Sequence, residues 1–329
     1  PFTFVGGIFF CFFTIMMIMK KLFSAAILIL LLLFTSCVSM RGRVLSAEEE
    51  ALLYPVESYV PEFFAWEEVR AETGAGEGLG AEGRVVPGVW RFDFKSGDPK
   101  FPLIYHAVKI ELSSADNVSS TDSELAEKNT GAPKTVSSDR LMLLASRWER
   151  TSDFAARENC LVAMNATPFD KTELAGIFKL GGQVLSGPVA RYAALGLRCR
   201  EDGSVWQGRV FESQEDGELD DWDTAFGGFF VVLKDGEVCT DFIRRHTSRS
   251  GAGFSADGRT LYLLVVEGER PRQSIGLSYP QCGEIFRAMG CRDALEFDGG
   301  GSSELCINGR SLMTYRVRRV QGNSFGFKK

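Results

Sequence analysis

Turn-forming dipeptides punctuate the second half of the chain, and their spacing constrains the fold more than any other feature. Each contains a glycine and stands between short apolar segments rich in β-branched and aromatic residues. Such dipeptides are typical of β-hairpins, because glycine, asparagine and aspartate tolerate the positive φ of tight turns. They are Gly181-Gly182, Asp202-Gly203, Asp235-Gly236, Asp257-Gly258 and Asn308-Gly309. The pattern predicts a mostly antiparallel β core.

Helices are expected beside this core at two places. The clearer one runs from Pro280 to Met289, because proline is favoured in a first turn and Gly290 follows as a terminator. The other lies around Asp153 to Glu158, and a strand is predicted over Leu103 to Leu112 from its alternating pattern. We therefore expect an α+β fold, a single β-rich domain of mostly antiparallel hairpins with a few packed helices.

The amino-terminal part is similar to a bacterial lipoprotein signal peptide. Lys20-Lys21 precede a long apolar run, and the small residues Thr35-Ser36 lead directly into Cys37. We predict that residues 19–37 are the signal peptide and that Cys37 is lipidated. The protein would then be lipid-anchored to a membrane of the bacterial cell envelope, outside the cytoplasm. An uncleaved transmembrane anchor is the alternative, since residues 1–18 lengthen the apolar stretch; we interpret them as upstream or artefactual sequence.

Composition divides the rest of the chain into a tether and a domain. Residues 38–84 are rich in glutamate and glycine and are predicted to form a flexible tether. The domain is expected to span residues 85–329, with a mobile loop from Ser113 to Ser138. A chain of 329 residues, 45% of them hydrophobic, can fill one large core. Its net charge of -6 argues against a nucleic-acid-binding surface.

Cysteine and histidine usage argues against a metal site. Apart from Cys11 and Cys37, the cysteines form an even set, compatible with disulfides in an oxidising compartment or with buried free thiols. They form no Cys-X-X-Cys pair, and His106 and His246 are the only histidines, so a zinc site is not expected. We expect neither a metal nor another cofactor.

A candidate binding loop follows an apolar, strand-like segment near the carboxyl terminus. Its residues are Asp298, Gly299, Gly300, Gly301, Ser302 and Ser303. Glycines allow main-chain N–H groups to approach a ligand closely, and serine hydroxyls add donors, which suits a phosphate or a sugar hydroxyl. The alternative is a tight glycine turn between two strands, capped by Asp298.

The order of several motifs resembles that of the phosphodiester glycosidase family. The resemblance covers residues 85–329 and rests on segments 163–169, 249–255, 263–268 and 298–303, with Asn308-Gly309. The chain departs from the family at two points: many members have Asn-Gly-Gly-Phe-Phe where residues 165–169 read Asn-Ala-Thr-Pro-Phe, and many have aspartate at the position of Glu267. The resemblance implies an exported hydrolase, a glycosidase that cleaves the glycosidic bond of a sugar-1-phosphodiester.

On this resemblance, Asp298 and Glu267 are the candidate catalytic carboxylates. Phosphate is a good leaving group, so Asp298 alone can stabilise the oxocarbenium-like centre and activate water with little general-acid help. Arg249 is the candidate partner of the phosphodiester charge, aided by the amides of the three glycines and the hydroxyls of the two serines. Asn165 can donate to and accept from a sugar hydroxyl or acetamido group. The implied substrate is a carbohydrate phosphodiester of the envelope or of scavenged glycans.

Each of these candidates has a structural alternative. Asn165 is equally suited to bridge main-chain segments after a buried strand, and Arg249 to pair with an acid such as Asp241. Glu267 precedes a glycine at the end of an apolar run, which also fits a solvated turn acid. If these residues are structural, the protein belongs to a second class of function. It would then be a non-catalytic carbohydrate- or envelope-binding lipoprotein on the same fold.

Three further polar residues are assigned mainly to structure. Asp257 is assigned to turn chemistry, because Asp-Gly between strands favours a type I′ turn. His106 lies within a predicted strand, where a half-buried histidine with a satisfied ring is the better interpretation. His246 is close to Arg249 in sequence, so contact with the ligand is considered for it, and a structural role is the better interpretation.

Overall fold

An eight-stranded antiparallel sheet lies at the centre of the fold, and two five-stranded sheets accompany it. The computed structural model describes residues 44–71, 84–112 and 140–329. They belong to one compact unit, Val44–Lys329. Every strand pair within the described ranges is antiparallel, which confirms the predicted β-rich α+β fold.

Short strands dominate the described residues. The helices are α1 (Ala47–Leu53), α2 (Thr151–Arg157) and α3 (Tyr279–Met289), and 3-10 turns occur at Val56–Ser58, Gly217–Asp221 and Gly300–Ser302. The strands are β1 (Val44–Leu45), β2 (Glu67–Ala71), β3 (Arg84–Lys95), β4 (Ile104–Glu111), β5 (Met142–Glu149), β6 (Val162–Asn165), β7 (Phe169–Asp170), β8 (Glu173–Leu174), β9 (Phe178–Leu180), β10 (Gln183–Ser186), β11 (Ala194–Cys199), β12 (Val205–Phe211), β13 (Thr224–Gly227), β14 (Val231–Lys234), β15 (Glu237–Val238), β16 (Arg244–Arg245), β17 (Arg249–Phe254), β18 (Thr260–Val266), β19 (Asp293–Glu296), β20 (Leu305–Ile307), β21 (Arg310–Ser311) and β22 (Gln321–Lys328).

The strand order brings distant motifs together. The central sheet has the order β15-β14-β19-β17-β18-β4-β3-β2, and the five-stranded sheets have the orders β21-β20-β6-β22-β5 and β10-β9-β13-β11-β12. Two small ribbons pair β1 with β16 and β7 with β8. Within the central sheet, β19 and β17 are direct neighbours. The segment after β19 therefore emerges beside the start of β17.

Two apolar cores lie on the two faces of the central sheet. Leu263 of β18 belongs to the larger core, together with Phe226 and Phe325 from the five-stranded sheets. The next residue, Leu264, belongs to the other core, where it packs with Phe286 of α3. This alternation follows from the two-residue period of a strand. Full burial of such side chains contributes about 1.5–3 kcal/mol each to folding.

The predicted helices and the predicted strand are present. α3 begins with a capping box formed by Ser278 and Gln281, has proline in its first turn and ends at Gly290, whose φ is 101°. α2 covers Thr151–Arg157, close to its predicted position. β4 covers most of the strand predicted from the alternating pattern.

The turn-forming dipeptides join antiparallel strands, with one correction. Asp235 and Gly236 both have positive φ, as a type I′ turn requires. At Asp257 only the following glycine has positive φ, so the predicted type I′ turn is wrong there. The Asp257 carboxylate instead accepts hydrogen bonds from the Ser255 hydroxyl at 2.6 Å and the Arg259 amide at 3.0 Å. The loop between β17 and β18 is longer than two residues, and the carboxylate stabilises it.

Residues 44–71 fold onto the domain, which corrects the predicted flexible tether. The acidic run that suggested a tether forms the capped first turn of α1, where negative charge is favourable. Glu50 is buried and pairs with Arg244 at 3.2 Å and with His246 at 3.0 Å. β2 adds the edge strand next to β3. Arg244 and His246, which are distant in sequence, therefore hold a segment that is polar by composition.

The described cysteines are free thiols, in agreement with one of the two alternatives above. Cys160, Cys282, Cys291 and Cys306 are buried, and two others are partly exposed. Burial raises the pKa of Cys160 to about 11. A thiol with a raised pKa is a poor nucleophile, so this cysteine contributes to packing.

Several predictions concern residues outside the described ranges. These are the upstream segment 1–18, the signal peptide 19–37 with Cys37, and the loop from Ser113 to Ser138. They remain predictions. Among the described helices, none is both long and apolar enough to cross a membrane.

Candidate active site

The Asp298–Ser303 loop begins one residue after β19, beyond Phe297, and packs against Ser248, the residue before β17. The Gly300 amide donates a hydrogen bond to the Ser248 carbonyl at 2.9 Å. A Cβ atom on Gly299 would lie 2.8 Å from that same oxygen, and Gly300 has a φ of 58°, which favours glycine. The glycines are therefore required by a close approach between two main-chain segments and by a left-handed turn.

Asn165, at the end of β6, holds this loop in place. Its side-chain nitrogen donates to the Asp298 carbonyl at 2.7 Å. Its side-chain oxygen accepts from the Ser250 hydroxyl at 2.8 Å and from the Glu304 amide at 3.0 Å. The next residue, Ala166, accepts the Asp298 amide through its carbonyl at 2.9 Å. This geometry supports the bridging alternative for Asn165, which is 1% exposed.

Asp298 presents a half-buried carboxyl group at the rim of the loop. Burial raises its pKa to about 6, while the nearby Ser302 hydroxyl and the positive charge of Arg319 oppose the rise. Its buried Oδ2 atom has no hydrogen-bond partner among the described residues, and the Ser302 hydroxyl lies near it without ordinary hydrogen-bond geometry. A carboxyl group of this kind can exchange a proton near neutral pH, as a catalytic acid or base requires.

Two buried hydroxyls lie in the same loop. The side-chain oxygens of Ser302 and Ser303 are both buried and have no hydrogen-bond partner in the described part of the chain. Their main-chain amides are occupied, since they donate to the carbonyls of Gly299 and Gly300 at 3.2 Å each. In contrast, the Gly299 and Gly301 amides have no acceptor within the described residues. The loop therefore leaves two buried hydroxyls and two main-chain amides without an acceptor among the described residues, and of these four groups only the amides belong to residues that solvent reaches.

Glu267, the second predicted carboxylate, is buried and fully engaged. It accepts the Thr314 amide at 2.6 Å and the Thr314 hydroxyl. His106 Nε2 lies 3.5 Å from it, close enough for attraction but without a regular hydrogen bond, and His106 Nδ1 contacts Asp93 at 2.6 Å. Burial alone would raise the Glu267 pKa, but His106 and Thr314 outweigh burial and lower it. Glu267 therefore anchors the segment at Thr314, and the solvated-turn alternative does not describe it.

Arg249 begins β17, but its guanidinium is bound to the main chain. It donates through Nε to the Leu277 carbonyl at 2.9 Å and through a terminal nitrogen to the Arg245 carbonyl at 2.7 Å. It also covers the Tyr279 ring at 3.9 Å. Arg249 does not pair with Asp241, the acid considered above, and the contacts described for its side chain do not include the Asp298 loop.

A buried carboxyl group close to Arg249 was missed by the sequence analysis. Glu296 is fully buried, and neither of its oxygens has a hydrogen-bond partner among the described residues. Burial raises its pKa to about 8, and the charge of Arg249 and the thiol of Cys282 oppose that rise. The sequence did not indicate a buried carboxyl group here, because Glu296 is a single acid in an apolar strand. Only the folded structure shows that α3 covers the face of β19 on which it lies.

Arg319 was also missed by the sequence analysis, although it is the cation that acts on Asp298. Its guanidinium covers the ring of Phe169, in the motif that contains Asn165, at 4.7 Å. The one available signal was the basic segment Arg316-Val317-Arg318-Arg319 in an otherwise acidic chain. Within the described residues, no group of three His, Cys, Asp or Glu side chains is arranged to hold a metal ion.

The same architecture occurs in solved structures. The catalytic domain of zebrafish N-acetylglucosamine-1-phosphodiester alpha-N-acetylglucosaminidase, auto-inhibited by its pro-peptide, has a TM-score of 0.53 at 17% identity, with 80% of this chain and 88% of that one covered. A hypothetical protein from Synechocystis has a TM-score of 0.52 at 12% identity, with 73% of this chain and 62% of that one covered. At these identities the similarity shows a shared fold.

Sequence comparison extends the relationship to a family. No curated protein matches the chain. The family model for phosphodiester glycosidases matches residues 158–327, more than half of the chain. The matched range contains Asn165, Glu267, the Asp298–Ser303 loop and Arg319. The chain therefore belongs to the phosphodiester glycosidase family.

Proposed function

We propose that the protein is a hydrolase that cleaves the bond between a sugar C1 atom and the oxygen of a phosphodiester. The observation that carries this proposal is the Asp298 carboxyl group, which lies half-buried beside donors that the protein leaves unused. Membership of the family supports a glycosidase. The zebrafish relative is named for action on an N-acetylglucosamine-1-phosphodiester, which supports this class of substrate.

The proposed reaction needs one carboxylate. As the C1–O bond breaks, the phosphate leaves as a stable anion and positive charge develops at C1. The ionised Asp298 carboxylate stabilises that charge and accepts a proton from the water molecule whose oxygen attacks C1. The products are the free sugar and a phosphate monoester. The engagement of Glu267 with Thr314 is compatible with this scheme, because the leaving group needs little help from a second acid.

The Asp298–Ser303 loop supplies groups for binding the substrate. The hydroxyls of Ser302 and Ser303 and the amides of Gly299 and Gly301 have no acceptor among the described residues. Leaving the two buried serine hydroxyls unpaired costs free energy, about 1–3 kcal/mol each, whereas the amides of Gly299 and Gly301 belong to residues open to solvent and are available to the acceptor atoms of a ligand. Phosphate oxygens and sugar hydroxyls are such acceptors.

We also propose that the protein acts as an exported lipoprotein. The arrangement of Lys20-Lys21, the apolar run and Cys37 supports a lipid anchor at the bacterial envelope. There the substrate would be a carbohydrate phosphodiester of envelope polymers or scavenged glycans. Because these substrates occur outside the cytoplasm, the proposed location and the proposed substrate agree.

The alternative is a non-catalytic lipoprotein that binds a carbohydrate or an envelope component. The bridging role of Asn165 and the anchoring role of Glu267 favour it, since both leave fewer groups for catalysis. The test is incubation of the purified protein with a synthetic sugar-1-phosphodiester and quantification of the free sugar. Release that depends on Asp298 supports the hydrolase, whereas saturable binding without release supports the alternative.

A further inference from the structure

Arg319 lies where a substrate phosphate would meet positive charge. It is exposed, and its charge acts on the Asp298 carboxyl group. Two residues later, the Gln321 side chain donates to the Ser302 carbonyl at 3.2 Å, so the segment that carries Arg319 is bonded directly to the Asp298–Ser303 loop. The main chain that carries the arginine is therefore held beside the loop.

The ring of Phe169 supports the guanidinium of Arg319. The two groups are 4.7 Å apart, and a Cβ on Gly322 would lie 2.9 Å from the Phe169 Cβ, so the ring packs closely on the start of β22. A guanidinium that lies over an aromatic face keeps the N–H groups at its edge for hydrogen bonding. Phe169 therefore orients Arg319 without occupying its donors.

The two arginines considered for the phosphate differ in what they already bind. Arg249 is 8% exposed and donates to two main-chain carbonyls. For Arg319, the structure shows no carboxylate or carbonyl partner within the described residues, only the Phe169 ring. An arginine with a free fork can bind two phosphate oxygens at once, and such charge-assisted pairs are the strong ones.

We propose that Arg319, held on Phe169, binds the phosphate of the substrate and so selects an anionic leaving group at the Asp298 site. The inference rests on the proposed function and names the residue that would give it specificity. Arg249 is then a structural residue that holds the main chain at the start of β17. The exposed Arg316 and Arg318 add positive charge to the same segment without a described contact to the loop.

The first test compares two substrates that differ in leaving-group charge. Methyl N-acetyl-α-glucosaminyl phosphate and 4-nitrophenyl N-acetyl-α-glucosaminide share the sugar, and the ratio of their kcat/KM values reports selection for phosphate. We expect Arg319→Gln to lower this ratio about ten- to a hundredfold, the usual effect of losing a charge-assisted hydrogen bond. The ratio for Arg319→Lys should lie between those of the wild-type protein and of Arg319→Gln, because lysine keeps the charge but cannot donate two parallel hydrogen bonds as the guanidinium does. An unchanged ratio in Arg319→Gln overturns the proposal.

Arg259→Gln provides the matched control. Arg259 is exposed in the loop between β17 and β18, at the opposite end of β17 from the start where Ser248 meets the candidate loop, and its replacement changes the net charge equally. We expect the wild-type ratio in this variant. An equal fall in both variants would mean that overall charge, and not a contact at Arg319, sets the preference, and it would overturn the proposal.

A binding experiment separates this inference from the proposed activity. Inorganic phosphate should raise the Tm of the wild-type protein and of Arg259→Gln, and the rise should be lost in Arg319→Gln. If the wild-type protein cleaves neither glycoside, the proposed activity fails for this sugar while the phosphate titration still decides the role of Arg319. An equal rise in Tm in Arg319→Gln overturns the phosphate contact.

The pH profile provides a readout that a purely structural arginine would not change. Arg319 lowers the pKa of Asp298, so its removal should raise that pKa. Since the ionised carboxylate is the active form in the proposed scheme, the rise of kcat/KM with pH should move to higher pH in Arg319→Gln. The same midpoint in both proteins would contradict an electrostatic effect of Arg319 on Asp298 and would count against the proposal.

Discussion

The side-chain amide of Asn165 donates a hydrogen bond to the main-chain carbonyl of Asp298 at 2.7 Å, although the two residues are 133 positions apart in the chain. The same side chain accepts from Ser250 and from the Glu304 amide. One asparagine thus connects β6, the start of β17 and the Asp298–Ser303 loop. Its effect on the reaction would be to fix the position of the carboxylate-bearing residue, which gives catalysis its geometry.

Asp298→Asn should abolish most of the proposed activity while the protein remains folded. The change keeps the size of the side chain and removes the negative charge that stabilises C1 and accepts a proton. We expect kcat to fall by at least about two decades, the scale typical of an acid–base residue, with substrate binding retained. Kinetics, calorimetric binding and Tm are measured on the same preparation.

Asp257→Asn is the control for that experiment, since Asp257 stabilises a loop at the far end of β17. Its activity per folded molecule should match the parent. If Asp298→Asn hydrolyses a sugar-1-phosphodiester as fast as the parent, the proposed mechanism is wrong. A fall in Tm with binding and activity lost together would instead indicate a loop-capping role.

Glu267→Gln should destabilise the protein more than it affects chemistry. The carboxylate accepts two hydrogen bonds from Thr314 and lies 3.5 Å from His106, and an amide replaces one acceptor oxygen by a donor. We expect the free energy of unfolding to fall by about 1–3 kcal/mol, measured by urea titration. Glu111→Gln, at an exposed position, is the control. Unchanged stability with a large loss of kcat would restore Glu267 as a catalytic carboxylate.

Arg249→Lys should likewise act on stability. Lysine has one nitrogen and cannot donate in the same geometry to the carbonyls of both Leu277 and Arg245, nor cover Tyr279 as a planar group. A lower Tm is expected, with a loss of about 1–3 kcal/mol and near-parental kcat/KM per folded molecule. The opposite pattern, a normal Tm with weak turnover of the phosphodiester, would assign Arg249 to the substrate.

Glu296→Gln should flatten the pH dependence of stability. The folded-state pKa of Glu296 is raised to about 8, whereas an unfolded glutamate titrates near 4.3, so folding takes up a proton between these values. Stability at this site is therefore present at low pH and is lost as the pH rises through that window. Asp298 contributes to the pH dependence of stability in the parent and in Glu296→Gln alike. The difference in pH dependence between the two proteins therefore reports Glu296 alone. The free energy of unfolding is measured by urea titration at pH 5, 7 and 8.5 for the parent and for Glu296→Gln. If it changes with pH by the same amount in both proteins, Glu296 is not protonated in the fold.

Cys37→Ala tests the proposed lipid anchor. A diacylated amino terminus partitions into membranes through its buried methylene groups, and without Cys37 there is no residue to lipidate. In cells that process lipoproteins, the variant should move from the detergent phase to the aqueous or unprocessed fraction. Cys199→Ala, a change at a half-buried thiol in the domain, serves as the control. If Cys37→Ala partitions like the parent, the lipoprotein proposal is wrong.

The sequence alone determined the features that depend on neighbouring residues. Hairpins at Asp235-Gly236 and Asn308-Gly309 follow from residues that accept positive φ, and α3 follows from its early proline and the terminating Gly290. The glycine-rich loop and Asp298 were identifiable because several unusual residues are adjacent. These features are local, so their physical causes are visible within a few positions of the chain.

The tertiary structure decided everything that depends on what a side chain meets across the fold. Glu267 and Arg249 lie in motifs, yet their groups are bound to Thr314 and to two carbonyls. Glu50 is polar by sequence and buried in the fold, because Arg244 and His246 lie opposite it. The charge of Arg319 acts on Asp298, and the nearby Gln321 at the start of β22 donates to the Ser302 carbonyl. Burial, pairing and pKa shifts arise from contacts between different segments of the folded chain, up to 196 positions apart for Glu50 and His246, and no pattern within a short segment contains that information.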